Sequence, residues 1–196
     1  MSTTYTSHSV VFYSDKIVCS LPQFNYEEVI LMMDWEHPIM SASAAYITEN
    51  RGDILEIGFG MGISAGYIQS HSISSHTIIE NHSQIVEKAV EWADGKSNVT
   101  IISQSWADVT GSLGNYDGIF YDTDGDDRWN LFSSSVSGLT KNGAKVTFWN
   151  SNTEHNVSTE SNIYNINSTY KHINVTPAVS ASQYFTGSTY YMPMKE

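Results

Sequence analysis

Leu55-Glu56-Ile57-Gly58-Phe59-Gly60-Met61-Gly62 reads as a strand running straight into three alternating glycines. Glycine at such a turn lets the main chain come close to a ligand that any side chain would hold off. In the next apolar run, Thr77-Ile78-Ile79, a second acid, Glu80, closes the strand. Strand, glycine turn, helix, strand and terminal acid together form the nucleoside-binding half of a doubly wound α/β fold. The acid then faces ribose hydroxyls at the carboxyl ends of the strands.

Working outward, strand and helix alternate with short connections. Strands are predicted over 53–57, 76–80, 98–103, 117–121 and 144–149, and helices over 61–71, 83–94 and 127–138, with a loop before the fourth strand. This alternation predicts a mostly parallel sheet covered on both faces. Residues 163–193 alternate polar and apolar without a helical period and predict an antiparallel hairpin on the sheet edge. Ahead of the first strand, Val29, Ile30 and Met33 fall at helical spacing and predict a helix from Tyr26 to Trp35, which Pro38 ends or whose successor it opens. The Ala- and Ser-rich stretch Ile39 to Ile47 should pack closely on the sheet. Residues 1–22, with the short patch Val10-Val11-Phe12-Tyr13, read as an arm or lid, and 23–196 as one domain.

Composition narrows the class. The 196 residues, 40% hydrophobic and 12% aromatic, suffice for one core without staples. The single cysteine, Cys19, excludes an internal disulfide and suits a reducing compartment. No leader-like succession and no apolar run near ~18 residues is present, so a cytoplasmic protein without a membrane span is expected. A net charge of −12 with no Lys/Arg cluster argues against nucleic acid. Such a surface steers cationic small molecules, and it equally serves solubility. The seven histidines show no zinc-like spacing. Asp122-Thr123-Asp124-Gly125-Asp126-Asp127 fails as a calcium loop, because Asp127 occupies the glycine position and Ser133 the final acid's. No metal is expected.

Dinucleotide binders place a third glycine three residues on, whereas here the pattern is Gly58-x-Gly60-x-Gly62. Glu56, inside the strand end, is placed to cap the glycine loop or to meet a positively charged amino-acid tail. Both features suit S-adenosyl-L-methionine better than NAD.

Four segments in order then resemble one family: Met32-Met33-Asp34-Trp35-Glu36-His37-Pro38-Ile39-Met40, Leu55 to Met61, Ile78-Ile79-Glu80, and Tyr116-Asp117-Gly118-Ile119-Phe120-Tyr121-Asp122-Thr123. They are similar to the successive motifs of guanidinoacetate methyltransferases and related guanidino N-methyltransferases, over about residues 29 to 152, with an echo in Gln183-Tyr184-Phe185 and Pro193. The resemblance implies a Rossmann-like class I methyltransferase domain using S-adenosyl-L-methionine.

It also implies roles. Glu36 and Asp122 would grip the guanidino group of a small cationic substrate such as guanidinoacetate. A planar guanidinium offers paired N–H donors that two carboxylates hold by charge-assisted hydrogen bonds. Guanidines keep their proton to above about pH 12, so a carboxylate must accept it as the N–C bond forms; that role falls to Asp122, with Glu36 assisting. Met32, Met40, Glu56, Gly58, Gly60, Met61, Gly62, Glu80, Asn81, Trp106, Ala107 and Asp122 would line the cofactor. Asn150, Ser151 and Asn152 would meet the substrate tail.

Simpler roles stand beside these. Glu36 suits the first turn of a helix, where the dipole favours acids, Asp122 suits a structural turn, and Met32 and Trp106 suit core packing. Ala107 stands where the family usually has Glu, and Asn150-Ser151-Asn152 replaces a Leu-Thr pair. Phe12 and Tyr13 stand in for a lid tryptophan. An aminopropyl- or amine-directed transferase of the same fold, or a catalytically idle methyltransferase-like binding protein, fits the same residues. A monomer or homodimer is expected.

Overall fold

The computed structural model describes residues 6, 8–21, 26–123, 129–150, 168–178, 181 and 185–196. Its centre is a parallel sheet of β4 (Asp53–Ile57), β5 (Ser75–Glu80), β6 (Val99–Ser103), β7 (Tyr116–Tyr121) and β8 (Thr140–Phe148). The spatial order is β6-β5-β4-β7-β8, so the chain works outward to one edge, crosses back, and continues to the other. The crossover lies between β4 and β7, where Ile57 pairs with Tyr121. Ligands in doubly wound sheets sit beyond the carboxyl ends of the strands at that reversal.

The expected C-terminal hairpin is present as β9 (Thr169–Asn174) and β10 (Thr189–Met194), antiparallel to one another. It meets the sheet at β8, where Val146 and Lys195 exchange both main-chain hydrogen bonds at 2.9 and 3.0 Å. Thr147 Oγ1 donates to the Pro193 carbonyl at 2.6 Å.

Strand alternation distributes the core. Leu55, Ile57, Ile79, Ile119, Tyr121, Val146 and Phe148 face one side, where α4 (Trp106–Val109) and α5 (Trp129–Leu139) add Trp106, Phe132 and Leu139. Ile54 and Phe120 face the other side and meet α1 (His37–Ile47). Ile78 packs with α2 (Ile63–Gln69) and α3 (Ser83–Ala93) through Ala65, Ile85 and Ala89. Each fully buried side chain of this size contributes about 1.5–3 kcal/mol. No helix among the described residues is long and apolar enough to cross a membrane.

The region before the sheet departs from expectation. Residues 26–33 form a strand, β3 (Tyr26–Met33), and not the helix that their spacing suggests. It pairs antiparallel with β2 (Lys16–Leu21), which pairs in turn with β1 (Val10–Phe12). Residues four apart, such as Val29 and Met33, share a face in a strand as well as in a helix, so the spacing alone is degenerate. The burial of Ile30 and Met32, with Val29 and Leu31 only part-covered, has the period of two. β2 supplies the ladder that makes the extended form pay. The N-terminal segment is therefore the outer part of a three-stranded meander. Val10, Ile17 and Cys19 pack on Phe59 and on α3, and Gln84 clasps Val10 through N–H to Oε1 at 2.9 Å.

The meander leads into α1 through a 3-10 turn, Asp34–Glu36. Pro38 opens this helix from its first turn, where its missing N–H costs nothing.

Candidate active site

The glycine turn leaves β4 at the crossover. Gly58 and Gly60 have φ of +94° and +54°, the left-handed region that disfavours side chains. Space forbids one at Gly58 too, where a Cβ would lie 1.8 Å from the Asp122 carbonyl oxygen, while a Cβ on Gly60 would lie 2.7 Å from Met32 Sδ and displace that side chain. The turn is thus packed between the end of β7 on one side and the end of β3 on the other. Met61 N–H donates to Met32 Sδ at 3.3 Å, and Gly62 N–H closes the turn on the Phe59 carbonyl at 2.8 Å.

Glu80 ends β5 beside this turn. Its Oε2 accepts the Phe59 N–H at 3.1 Å, and its Oε1 accepts those of Asn81 and His82 at 2.8 and 2.9 Å. One carboxylate therefore fixes the glycine turn and the entry to α3 together. His82 reaches back through Nε2–H to the His8 carbonyl at 2.8 Å, tying α3 to the N-terminal meander.

Glu56 lies beneath the turn, wholly buried. Its Oε2 meets His76 Nε2 at 2.9 Å, and among the described residues these two atoms are each other's sole polar partner. Ser64 Oγ–H donates to Glu56 Oε1, while Gln69 Nε2 meets His76 Nδ1 at 3.3 Å. Ser64 and Gln69 stand at the two ends of α2, so the pair anchors that helix to β4 and β5. These contacts tie Glu56 to α2 and to β5. His76, Ser64 and Gln69 escaped sequence reading, although a histidine two residues before Ile78 in a buried strand is a signal for an inward polar partner.

The two expected acceptor carboxylates arrive from separate elements. Asp122 follows β7, its N–H bonded to the Ile57 carbonyl at 2.9 Å and its own carbonyl against Gly58. Glu36 is only 3% exposed, and its Oε1 accepts the Met33 N–H at 2.8 Å. Because Met32 touches the glycine turn, the segment that carries Glu36 is seated on that turn as well. Trp35 stacks on Phe185 at 5.4 Å between ring centroids, which holds the Glu36 turn against the C-terminal part of the chain. Thr123, next to Asp122, has a buried Oγ1 with no hydrogen-bond partner among the described residues.

The other expected residues are placed as follows. Met40 is wholly buried in the core cluster that also holds Met32 and Met33. Trp106 is buried edge-on to Tyr121 and Phe132, at 5.4 and 6.0 Å between centroids; Ala107, half-buried, follows it. Asn81 is exposed beside Glu80. Asn150 is buried, its N–H donating to Tyr190 Oη at 2.8 Å and its Nδ2 to the Tyr191 carbonyl at 3.0 Å. Ser151, Asn152, Gln183 and Tyr184 lie outside the described residues. No group of three or more potential metal ligands occurs among the described residues.

A glycine turn at the sheet reversal, an acid closing the next strand and the order β6-β5-β4-β7-β8 with an antiparallel hairpin beyond β8 define a Rossmann-like methyltransferase domain. The chain belongs to the guanidinoacetate N-methyltransferase family, whose family model matches residues 27–182. It is 33% identical over 156 residues to protein arginine N-methyltransferase 2 of Aspergillus oryzae, covering 74% of this chain and 36% of that protein. It is 36% identical over 134 residues to the protein of the same name from Kluyveromyces lactis, covering 61% and 32%. The chain thus spans about a third of the length of these relatives. Solved structures share the fold: spermidine synthase from Thermotoga maritima has a TM-score of 0.61 at 10% identity, covering 95% of this chain and 71% of that one. An rRNA methylase from Streptococcus thermophilus has a TM-score of 0.59 at 8% identity, covering 81% and 94%.

Proposed function

We propose that this chain transfers a methyl group from S-adenosyl-L-methionine to a guanidino nitrogen. One observation carries the reading: Asp122 and the segment bearing Glu36 both seat on the same glycine turn, through Gly58 and Gly60 respectively. In a chain of this family, that shared seating supports a reading in which the two acids flank the cofactor.

The residues present fit the cofactor. A turn with three glycines at positive φ at the sheet reversal gives close main-chain approach, and Glu80 stands where ribose hydroxyls would fall. Gly58, Gly60, Met61, Gly62, Met32, Glu80 and Asn81 would hold it, with Met40, Trp106 and Ala107 toward the adenosine, while Glu56 anchors the helix that follows the turn through Ser64. When bound, it supplies an electrophilic methyl group on sulfur.

The rest is done by side chains of this protein. Glu36 and Asp122 fix the plane of the guanidinium by charge-assisted hydrogen bonds. Asp122 accepts a proton from the reacting nitrogen as that nitrogen becomes alkylated, which a guanidinium cannot shed unaided near neutral pH. Alignment of the reacting atoms at ~3–3.5 Å supplies the remaining acceleration. Asn150, with Ser151 and Asn152, is proposed to meet the substrate tail, and residues 1–22 to act as the arm or lid over a methyltransferase domain of residues 23–196. The proposed acceptor is a small guanidino compound such as guanidinoacetate. The names of the relatives favour a second acceptor of the same chemistry, an arginine side chain in a protein. A cytoplasmic monomer or homodimer is the proposed form.

Incubation with labelled S-adenosyl-L-methionine and either guanidinoacetate or an arginine-containing peptide tests the reading. Label is expected in one of them. Asp122→Asn should bind S-adenosylhomocysteine as the parent does yet lose turnover by at least about 100-fold, the lower range for removing a general base. Undiminished turnover in that variant refutes the role.

A further inference from the structure

We propose that the Thr123 hydroxyl is a positioning and specificity group for the methyl acceptor, taking an N–H of the guanidino group that Asp122 and Glu36 hold. The inference rests on the guanidino reading above. Thr123 Oγ1 is buried and, among the described residues, has no hydrogen-bond partner, an arrangement that costs free energy unless something else completes it. It belongs to the residue directly after Asp122, at the reversal of the sheet, with its backbone N 3.8 Å from where a Gly58 Cβ would stand. An unsatisfied hydroxyl at the one place where the fold receives ligands is one whose partner arrives with the ligand.

Donor counting says which ligand atom. A substituted guanidinium has five N–H donors in one plane. Part of the accepting capacity of Glu36 is already spent on the Met33 N–H, so the two carboxylates do not offer all their lone pairs to the substrate. A hydroxyl oxygen beside Asp122 adds an acceptor that brings no further negative charge. Because it sits on the residue that follows the base, it holds the group rotationally, fixing which nitrogen faces the methyl donor.

Thr123→Val keeps the volume and removes the oxygen, and Thr123→Ser restores it. The measurements are kcat and KM for the acceptor, calorimetric Kd for S-adenosylhomocysteine, and Tm. For Thr123→Val, acceptor kcat/KM should fall roughly 10- to 100-fold, the worth of a hydrogen bond to a charged group. Its Kd for S-adenosylhomocysteine should stay within about twofold, and Tm should hold or rise, since a buried orphan is gone. Thr123→Ser should recover most of the loss. A kcat/KM within twofold of the parent overturns the inference, as does a falling Tm that Thr123→Ser restores, because the hydroxyl would then serve the fold. A dead Asp122→Asn beside an unimpaired Thr123→Val sinks this inference alone; a parent enzyme that methylates neither guanidinoacetate nor an arginyl peptide sinks the guanidino reading with it.

Discussion

Replacing His76 by leucine tests whether the pair under the glycine turn holds that turn in place. Glu56 and His76 are both wholly buried and 2.9 Å apart, and among the described residues the carboxylate's other partner is the Ser64 hydroxyl. Removing one partner of such a pair leaves a buried carboxylate uncompensated, at a cost of about 3–5 kcal/mol. At about 2–4 °C per kcal/mol for a domain of this size, Tm should fall by roughly 6–20 °C. Adding Glu56→Gln removes the stranded charge while leaving an amide for Ser64. The double variant should therefore recover much of the loss, with a coupling of about 1–3 kcal/mol. His76→Gln, which keeps an N–H for the carboxylate, should lose less than His76→Leu. Urea unfolding followed by tryptophan fluorescence gives the stabilities of the parent, of Glu56→Gln alone and of these three variants, and calorimetry with S-adenosylhomocysteine shows whether cofactor affinity follows them. A loss below about 1 kcal/mol for His76→Leu, or strict additivity with Glu56→Gln, would refute the reasoning.

Two further outcomes are expected. Gly58→Ala forces a Cβ to within 1.8 Å of a backbone oxygen at a left-handed position, so it should unfold the crossover and lower Tm, and not merely weaken cofactor binding; a folded variant of parental Tm contradicts this. At the opposite end of the strands, Lys141 Nζ bonds Asp53 and Asp117 at 2.6 and 2.7 Å, and hydrogen bonds from Lys141, then Ser75, hold the Asp53 carboxyl below its usual range. A carboxyl lowered on folding stabilises above its unfolded value near pH 4, and that contribution disappears as pH falls through the lowered folded value. Lys141→Met should therefore have a lower urea midpoint than the parent at pH 7, with the gap narrowing in acid; a gap unchanged at pH 3 counts against it.

The parallel sheet was legible because each strand from Asp53 to Phe148 is a short apolar run bounded by polar turns, and the spacing allows only helical crossovers. The glycine turn and Glu80 were legible for a stronger reason, since their chemistry is carried by residue type at fixed offsets. The meander was not, because Val29 and Met33, four apart, satisfy both periods and only the pairing with β2 decides between them. The His76–Glu56 pair lay out of reach because it depends on register. His76 stands opposite Ile54, two residues from Glu56 on the same face of the neighbouring strand, and no local pattern states which residues of two strands meet. Thr123 was visible as a motif residue, but its lack of a partner is a property of the folded surroundings.

The chain of contacts from Glu80 to the meander has a thermodynamic corollary. Glu80 gathers the N–H groups of Phe59, Asn81 and His82, and the His82 ring holds the carbonyl of His8. A hydroxylated ligand drawing on that carboxylate and the seating of the first strand thus share one set of atoms. By linkage, whatever fastens the outer strand must sharpen the ligand's hold by the same factor that the ligand fastens the strand.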